Sequence, residues 1–258
     1  SQAKPWVAAS RGMSPAQAAL YTNSTLALDP ATGRIVWYFQ HMAGETLDME
    51  TGFERVLIDR GGGPFLYTAG KDGILWKLDR KTGAFVAFTE TLPQNIFEPL
   101  DHATGRLRYR RDILEAGIGT TVSVCPSIYG GRNWQAMAYV PSSGALIMPL
   151  HQLCMEFTGR EVDPQEGGGG YGGESRIFPM PNTDGNLGRL SAYDVDSLKL
   201  KWTHVQPAMF LTSVLATGGG LAFVGDLDRR FQAFDVDTGK VLWSTRLGAP
   251  LHGFELPQ

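Results

Sequence analysis

The sequence predicts an all-β fold built from repeated antiparallel hairpins. A nine-residue phrase recurs along the chain: an Asp, a Thr-Gly or similar pair three and four residues later, and usually a Trp at the eighth step. The composition agrees, because 32 Gly, 15 Pro and only 19% charged residues leave little room for long helices. The copies of the phrase span residues 29–37, 79–87, 194–202 and 235–243.

The first copy shows why the phrase predicts a hairpin. Apolar runs precede and follow it at residues 25–28 and 35–37, and Gly33 can supply the turn position with positive φ. Asp29 can accept hydrogen bonds from backbone amides across the turn, and Trp37 can lie flat between neighbouring sheets. The second and fourth copies repeat the turn pair, with Ala87 in place of the Trp in the second. The third copy has Ser197-Leu198 instead.

The intervals between the four Asp residues are 50, 115 and 41 residues. A unit of about 40 to 50 residues that ends in a hairpin is typical of one four-stranded blade of a β-propeller. The long interval fits two units plus a loop insertion at about 155–185, which contains the Gly-rich stretch 167–173. We therefore expect one partial propeller domain over residues 1–258, with about five blades, and a chain that is an interior piece of a longer protein.

Charge and hydropathy exclude some classes of function. A net charge of −3 argues against a nucleic-acid surface, and no apolar run reaches the length of a membrane-spanning helix. No signal peptide is visible. The two cysteines, Cys125 and Cys154, leave two possibilities open on composition alone: a pair of buried thiols or a disulfide.

An acidic cluster follows the first phrase, at Glu45, Asp48 and Glu50. Asp48 and Glu50 are two residues apart and would point to the same side of an extended strand. Their mutual repulsion would be relieved by a hard cation such as Ca²⁺. The alternative is a solvated loop that carries acids.

Several of these residues together resemble the quinoprotein alcohol dehydrogenases, eight-bladed propellers that hold pyrroloquinoline quinone (PQQ). Asp48 follows Trp37 by eleven residues, the interval of that family's catalytic aspartate. Lys71 stands where the family has a basic residue that hydrogen-bonds the quinone oxygens. The segment 130–134 matches the one whose Asn reaches the quinone, which implies cofactor-binding roles for Asn133 and for the adjacent Trp134.

The resemblance also implies a disulfide and a metal site. Cys125 and Cys154 look like the family's blade disulfide, which requires an oxidising compartment and so implies a periplasmic location. Gln2 stands where a metal-binding Asn is usual, which makes Gln2, Asp48 and Glu50 the implied metal ligands. Lanthanide-dependent members have an acid at the position of Glu50, so the cation would be Ca²⁺ or a lanthanide.

The activity that the resemblance implies is oxidation of an alcohol. Asp48 would act as general base while hydride passes to metal-bound PQQ, and Lys71 would stabilise the reduced quinone. A cytochrome c is the expected electron acceptor. Because the family places part of its site in segments that do not match this chain, we expect the 258 residues alone to be inactive.

Some residues depart from the family pattern. Leu47 replaces the Trp that usually precedes the catalytic Asp, and the segment 210–214 lacks an aromatic residue that commonly flanks the quinone. Methanol itself is therefore not implied. Two alternatives stay open: a non-catalytic propeller scaffold of the outer-membrane-assembly type, and a PQQ-dependent dehydrogenase of polymeric alcohols.

Overall fold

The structure, a computed structural model, describes residues 18–161 and 172–253. In these residues it is all-β apart from one short helix, and the strands form five antiparallel sheets. Three of the sheets have four strands, one has three and one has two. The predicted fold class is therefore confirmed, with sheets that correspond in number to the expected units.

The strands follow the chain in groups. The two-stranded sheet contains β1 (Ser24–Leu28) and β2 (Ile35–Gln40). The next sheet is a four-stranded meander of β3 (Val56–Arg60), β4 (Gly63–Ala69), β5 (Ile74–Asp79) and β6 (Phe85–Glu90). The last sheet is a meander of β14 (Leu215–Ala216), β15 (Leu221–Gly225), β16 (Arg230–Asp235) and β17 (Val241–Arg246), after the intervening strands described next.

The central part of the chain interleaves two sheets. Helix α1 (Arg111–Leu114) precedes the strands β7 (Thr121–Val124), β8 (Ala138–Val140), β9 (Ala145–His151), β10 (Leu153–Gly159), β11 (Gly173–Pro179), β12 (Gly188–Asp194) and β13 (Leu200–Gln206). One sheet has the order β13-β12-β9-β8 and the other the order β11-β10-β7. Much of the expected insertion at 155–185 is thus the β10–β11 hairpin, and residues 162–171 lie outside the described part.

All four copies of the phrase form the predicted turn. In each, the Asp Oδ1 accepts the backbone N–H three residues later, at 2.8 to 2.9 Å. The residue four positions after the Asp has positive φ: Gly33 (68°), Gly83 (72°), Leu198 (57°) and Gly239 (69°). The third copy therefore adopts the same backbone even without a glycine, because Leu198 takes the left-handed conformation.

A fifth copy of the phrase escaped the sequence reading. Asp101 Oδ1 accepts the N–H of Thr104 at 3.2 Å, and Gly105 has a φ of 69°. The eighth step of this copy is Tyr109, whose backbone pairs with that of Phe97. The tyrosine stands where three of the four other copies have a Trp and the second has Ala87.

Aromatic rings dock on the turn glycines of neighbouring hairpins. A Cβ at Gly83 would lie 2.4 Å from the ring of Trp37, one at Gly105 would lie 2.4 Å from Phe85, and one at Gly239 would lie 2.4 Å from Trp202. Only glycine permits this approach. The predicted packing of Trp between sheets is confirmed for the first and third copies.

The docking contact also includes a hydrogen bond to a carbonyl next to the Asp. Trp202 Nε1 donates to Val236 O at 2.8 Å. The sheet that carries the second copy has Ala87 in place of the Trp, and there Lys77 Nζ on β5 and Tyr67 Oη on β4 donate to the equivalent Val195 O at 3.0 and 2.8 Å. A lysine and a tyrosine thus supply the donors that a tryptophan supplies elsewhere.

Three apolar clusters form the core between the sheets. One joins the β3–β6 sheet to the sheet of β8, β9, β12 and β13, and another joins that sheet to the β14–β17 sheet. The third packs the opposite face of the β3–β6 sheet against the three-stranded sheet, through Trp76, Val124 and Phe157 among others. No helix in residues 18–161 and 172–253 is long and apolar enough to cross a membrane.

Candidate functional site

The segment between β2 and β3 carries the acidic cluster, but it is not a strand. Asp48 adopts the left-handed conformation with a φ of 65°, so the expectation of an extended strand was wrong. The cause is local, because the Glu45 carboxylate accepts the backbone N–H groups of Leu47 (2.7 Å) and Met49 (2.8 Å). These bonds fold the chain around Asp48.

Lys71 brings the two predicted metal ligands together. Its Nζ lies 3.0 Å from Asp48 Oδ2 and 2.8 Å from Glu50 Oε1. Lys71 is placed by the turn between β4 and β5, where its backbone N–H donates to Glu50 O at 3.1 Å. Gly70 permits this contact, because a Cβ there would lie 2.6 Å from Glu50 O. Three of the predicted site residues thus form one cluster.

Burial and charge oppose each other in this cluster. Burial raises the pKa of Glu50, and the Lys71 ammonium counteracts that rise. Burial also works against the charged form of Lys71, but Glu50 and Asp48 together raise its pKa above the ordinary lysine value. Lys71 is therefore a cation at neutral pH. Glu50 Oε2 is buried with no hydrogen-bond partner, which leaves one carboxylate oxygen inside the protein without a donor.

The loop that carries Asn133 and Trp134 packs against the lysine turn. Gly131 N donates to Lys71 O at 3.0 Å, and a Cβ at Gly130 would lie 2.4 Å from the Lys71 Cα. Asn133 Nδ2 donates to Tyr129 O at 3.2 Å, and Asn133 Oδ1 accepts the Trp134 N–H at 3.0 Å. The structure therefore brings this loop to the lysine, with the Asn133 amide engaged within its own loop.

Arg132 and Glu54 hold that loop in place, and the sequence reading missed both. The Arg132 side chain is fully buried and makes two bonds of 2.9 Å to the two oxygens of Glu54. It also donates to Ala69 O at 2.8 Å, and Glu54 Oε1 accepts the Met137 N–H at 2.9 Å. Such a bidentate pair fixes both partners firmly. The two residues lie 78 positions apart, so no local pattern could have revealed them.

Asp72 and Glu45 are further buried acids, and the sequence predicted no site role for either. Asp72 accepts the Trp76 Nε1–H at 3.0 Å, and burial raises its pKa to about 6. Burial raises the pKa of Glu45 to about 7. Glu45 was noted as part of the acidic trio, but its partner Tyr109 belongs to the hairpin that went unrecognised.

The two cysteines form a disulfide, as the resemblance implies. Cys125, just after β7, and Cys154, near the start of β10, are bonded with a Cα–Cα distance of 4.3 Å. The bridge precedes the segment 126–131 that packs against Lys71. It therefore ties the loop that carries Asn133 to the three-stranded sheet.

The residues present fit part of a cation site. Asp48 and Glu50 offer the hard oxygen donors that Ca²⁺ and lanthanides prefer, and the buried unpartnered Glu50 Oε2 is suited to such an ion. Gln2, the third predicted ligand, lies outside the described residues. In the part of the chain that the structure describes, no group of three or more His, Cys, Asp or Glu side chains could hold a metal. Two carboxylates are a partial ligand set, and further oxygen ligands are needed.

Two family models match the sequence. Residues 8–95 match the β-propeller domain of glucose, ethanol and alcohol dehydrogenases, and residues 100–255 match the outer membrane protein assembly factor BamB. Asp48, Glu50 and Lys71 lie in the first match. Asn133, Trp134 and the disulfide lie in the second.

Individual relatives are dehydrogenases. The quinoprotein alcohol dehydrogenase PedE of Pseudomonas putida is 32% identical over 89% of this chain, and the 1-butanol dehydrogenase (cytochrome c) of Thauera butanivorans is 30% identical over 89%. A solved europium-containing methanol dehydrogenase superposes on 91% of the chain with a TM-score of 0.85 and 26% identity. The chain spans 38%, 34% and 42% of these three proteins, respectively. By its repeats, its fold and these matches, the chain belongs to the family of PQQ-dependent quinoprotein alcohol dehydrogenases.

Proposed function

We propose that the protein oxidises an alcohol with PQQ and a hard cation, and that Asp48, Glu50 and Lys71 are the core of its active site. The observation that carries this proposal is the Lys71 ammonium between Asp48 and Glu50, at 3.0 and 2.8 Å. It joins the general base, a metal ligand and the cofactor-binding lysine that the family resemblance assigns separately. Perturbed, partly buried charges of this kind are typical of functional sites.

Asp48 accepts the proton of the alcohol hydroxyl in this proposal. Its side chain is 21% exposed, whereas those of Glu50 and Lys71 are 12% and 9% exposed, so Asp48 is the most accessible of the three to a substrate. Lys71 fixes the orientation of the carboxylate through Oδ2. A general base must be within hydrogen-bond reach of the proton it removes, and a preset orientation favours that geometry.

Bound PQQ would supply a two-electron acceptor, and the cation would supply Lewis-acid assistance. Asp48 and Glu50 would hold the cation, together with Gln2 or other oxygen ligands. The Lys71 ammonium has three donors, so it could keep its bond to Asp48 and also donate to the cofactor oxygens. Asn133 and Trp134 would border the cofactor, because their loop packs on the Lys71 backbone.

Glu50 supports the use of a lanthanide. A trivalent ion gains more than Ca²⁺ from an additional negative oxygen ligand. We expect Glu50→Ala to lower activity with La³⁺ more than activity with Ca²⁺. Equal losses with the two ions, or an unchanged activity with La³⁺, would contradict the role of Glu50.

A non-catalytic scaffold is the second candidate, and the family model that matches residues 100–255 favours it. The residues proposed for chemistry argue against it, because Asp48, Glu50 and Lys71 all lie in residues 8–95, which match the dehydrogenase model. A scaffold has no need of a buried lysine between two acids. The class of alcohol, polymeric or small, the cytochrome c acceptor and the periplasmic location belong to the same proposal and rest on the family.

The test is dye-linked alcohol oxidation by the natural protein that carries this chain, with PQQ and either Ca²⁺ or La³⁺ across an alcohol panel. We expect activity that Asp48→Asn lowers by about 100-fold or more, the lower range for losing a general base. Asp237→Asn, at an exposed turn, is the matched control. A folded protein with no activity under any of these conditions would favour the scaffold. The isolated 258 residues should be inactive.

A further inference from the structure

Glu45 is buried near Asp48, and one of its carboxylate oxygens accepts three hydrogen bonds. Glu45 Oε1 accepts the N–H of Leu47 at 2.7 Å, the N–H of Met49 at 2.8 Å and the hydroxyl of Tyr109 at 2.9 Å. The residue is 3% exposed. None of these bonds involves Lys71 or Glu50, so Glu45 acts on the turn around Asp48 independently of the ion pairs.

The two backbone donors flank Asp48 on either side. Asp48 has a φ of 65°, a left-handed conformation that is unfavourable for a non-glycine residue and that neighbouring contacts must offset. Because Glu45 binds the amides of both Leu47 and Met49, it fixes the 46–47 and 48–49 peptide groups, which bracket Asp48. Leu47 and Met49 are themselves fully buried, which anchors the same turn from the apolar side.

Tyr109 connects this turn to a distant part of the chain. It comes from the unrecognised fifth hairpin, 64 residues away, and it is 3% exposed. Its ring centroid lies 5.6 Å from that of Phe97, and its hydroxyl oxygen also accepts the N–H of Thr46 at 3.4 Å. The tyrosine thus fixes Glu45 and the turn together.

We infer that Glu45 and Tyr109 are positioning residues that set the orientation of the Asp48 carboxylate for proton abstraction. The inference rests on the proposed function of Asp48 as general base. It assigns catalytic importance to two residues that touch neither substrate nor cofactor. Loss of either should misplace Asp48 without removing it, and small misplacements of a reacting group reduce turnover strongly.

Tyr109→Phe and Glu45→Met test the inference in the natural protein loaded with PQQ and cation, and methionine removes both carboxylate oxygens at a similar side-chain length. We expect kcat to fall about tenfold for Tyr109→Phe and about 100-fold for Glu45→Met, with KM for the alcohol within about twofold, because geometry and not binding is lost. Tyr67→Phe is the matched control. It also removes one buried tyrosine hydrogen bond, of 2.8 Å to Val195 O, in a contact between two sheets.

A second measurement reports the hydrogen bonds directly and does not depend on activity. Amide hydrogen exchange at Leu47 and Met49 should accelerate in Glu45→Met and Tyr109→Phe, and should be unchanged in Tyr67→Phe. If exchange accelerates but kcat falls no further than in the control, the pair only staples a loop and the inference is overturned. Unchanged exchange overturns it as well. An inactive wild-type protein refutes the role of Asp48 itself, and the inference falls with it.

Discussion

Lys71 Nζ and Glu50 Oε1 lie 2.8 Å apart, in an ion pair whose other carboxylate oxygen has no hydrogen-bond partner. A buried pair of this kind is weak evidence for stability, because the desolvation penalty can equal the attraction. Its value here is electrostatic. Asp48 lies 3.0 Å from the same ammonium, so the cluster contains two carboxylates and one ammonium. Its net negative charge favours the binding of a cation.

Replacement of Lys71 should therefore strengthen cation binding while it abolishes turnover. In the cofactor-free protein, Lys71→Met should raise the affinity for Tb³⁺ by about tenfold or more, equivalent to about 1.4 kcal/mol, because a competing positive charge is lost. Luminescence titration measures this affinity. Lys71→Arg keeps the charge and is the control. Weaker Tb³⁺ binding in Lys71→Met would show that the lysine does not compete for the carboxylates.

The hairpins could be predicted from the sequence because their causes are local. Each turn depends on an Asp, a Thr or Ser and a residue with positive φ within five positions. The fifth hairpin, which was missed, has the same local causes, because Asp101, Thr104 and Gly105 repeat the turn residues of the other copies. Leu198 shows the converse, since the turn persists with a residue that the pattern disfavours.

The site could be predicted only in part. The interval from Trp37 to Asp48 and the position of Lys71 identified three residues that the structure brings together. Their partners could not be found this way. Tyr109 lies 64 positions from Glu45, and Arg132 lies 78 from Glu54, so these pairs exist only once the sheets have packed. Gln2 stays a prediction, because it lies outside the described residues.

The docking of aromatic rings on turn glycines can be measured with a matched pair of variants. Gly83→Ala and Gly33→Ala both place a Cβ at a positive φ, which costs roughly 1 to 2 kcal/mol. At Gly83 that Cβ would also lie 2.4 Å from the Trp37 ring, whereas at Gly33 nothing lies within 4 Å. Overpacking adds about 1 to 3 kcal/mol. Urea unfolding should therefore show the larger loss for Gly83→Ala, and equal losses would contradict the docking contact.

The buried acid Asp72 should make stability depend on pH. Burial raises its pKa from 3.8 to about 6, so the folded protein retains a proton that the unfolded chain releases. The stability that Asp72 contributes is full below pH 3.8 and is lost as the pH rises through 6. The shift corresponds to at most about 3 kcal/mol.

Asp72→Asn removes this titration while it keeps an acceptor for Trp76 Nε1. The free energy of unfolding of the variant, relative to the wild type, should rise as the pH increases from about 4 to about 6.5. The difference between the two proteins is needed because a second group changes stability in the opposite direction. Burial lowers the pKa of His151 to about 4, so the contribution of this residue to the stability of the fold is lost as the pH falls. Asp237→Asn is the exposed control. A difference that does not vary with pH would contradict the burial of a protonated Asp72.

The disulfide should contribute to stability through the 29-residue separation that it closes. The chain-entropy estimate for a loop of this size is about 3 to 4 kcal/mol, and the double variant Cys125→Ser, Cys154→Ser should lower the free energy of unfolding by a similar amount.

Because the disulfide directly precedes the segment 126–131, its loss should also loosen the loop that carries Asn133. Amide exchange at Gly131, whose N–H donates to Lys71 O, measures that loosening. Exchange at Gly83, in a turn closed by its own Asp79, is the internal control, and equal acceleration at both glycines would indicate a global loss of stability and no specific tie to the site.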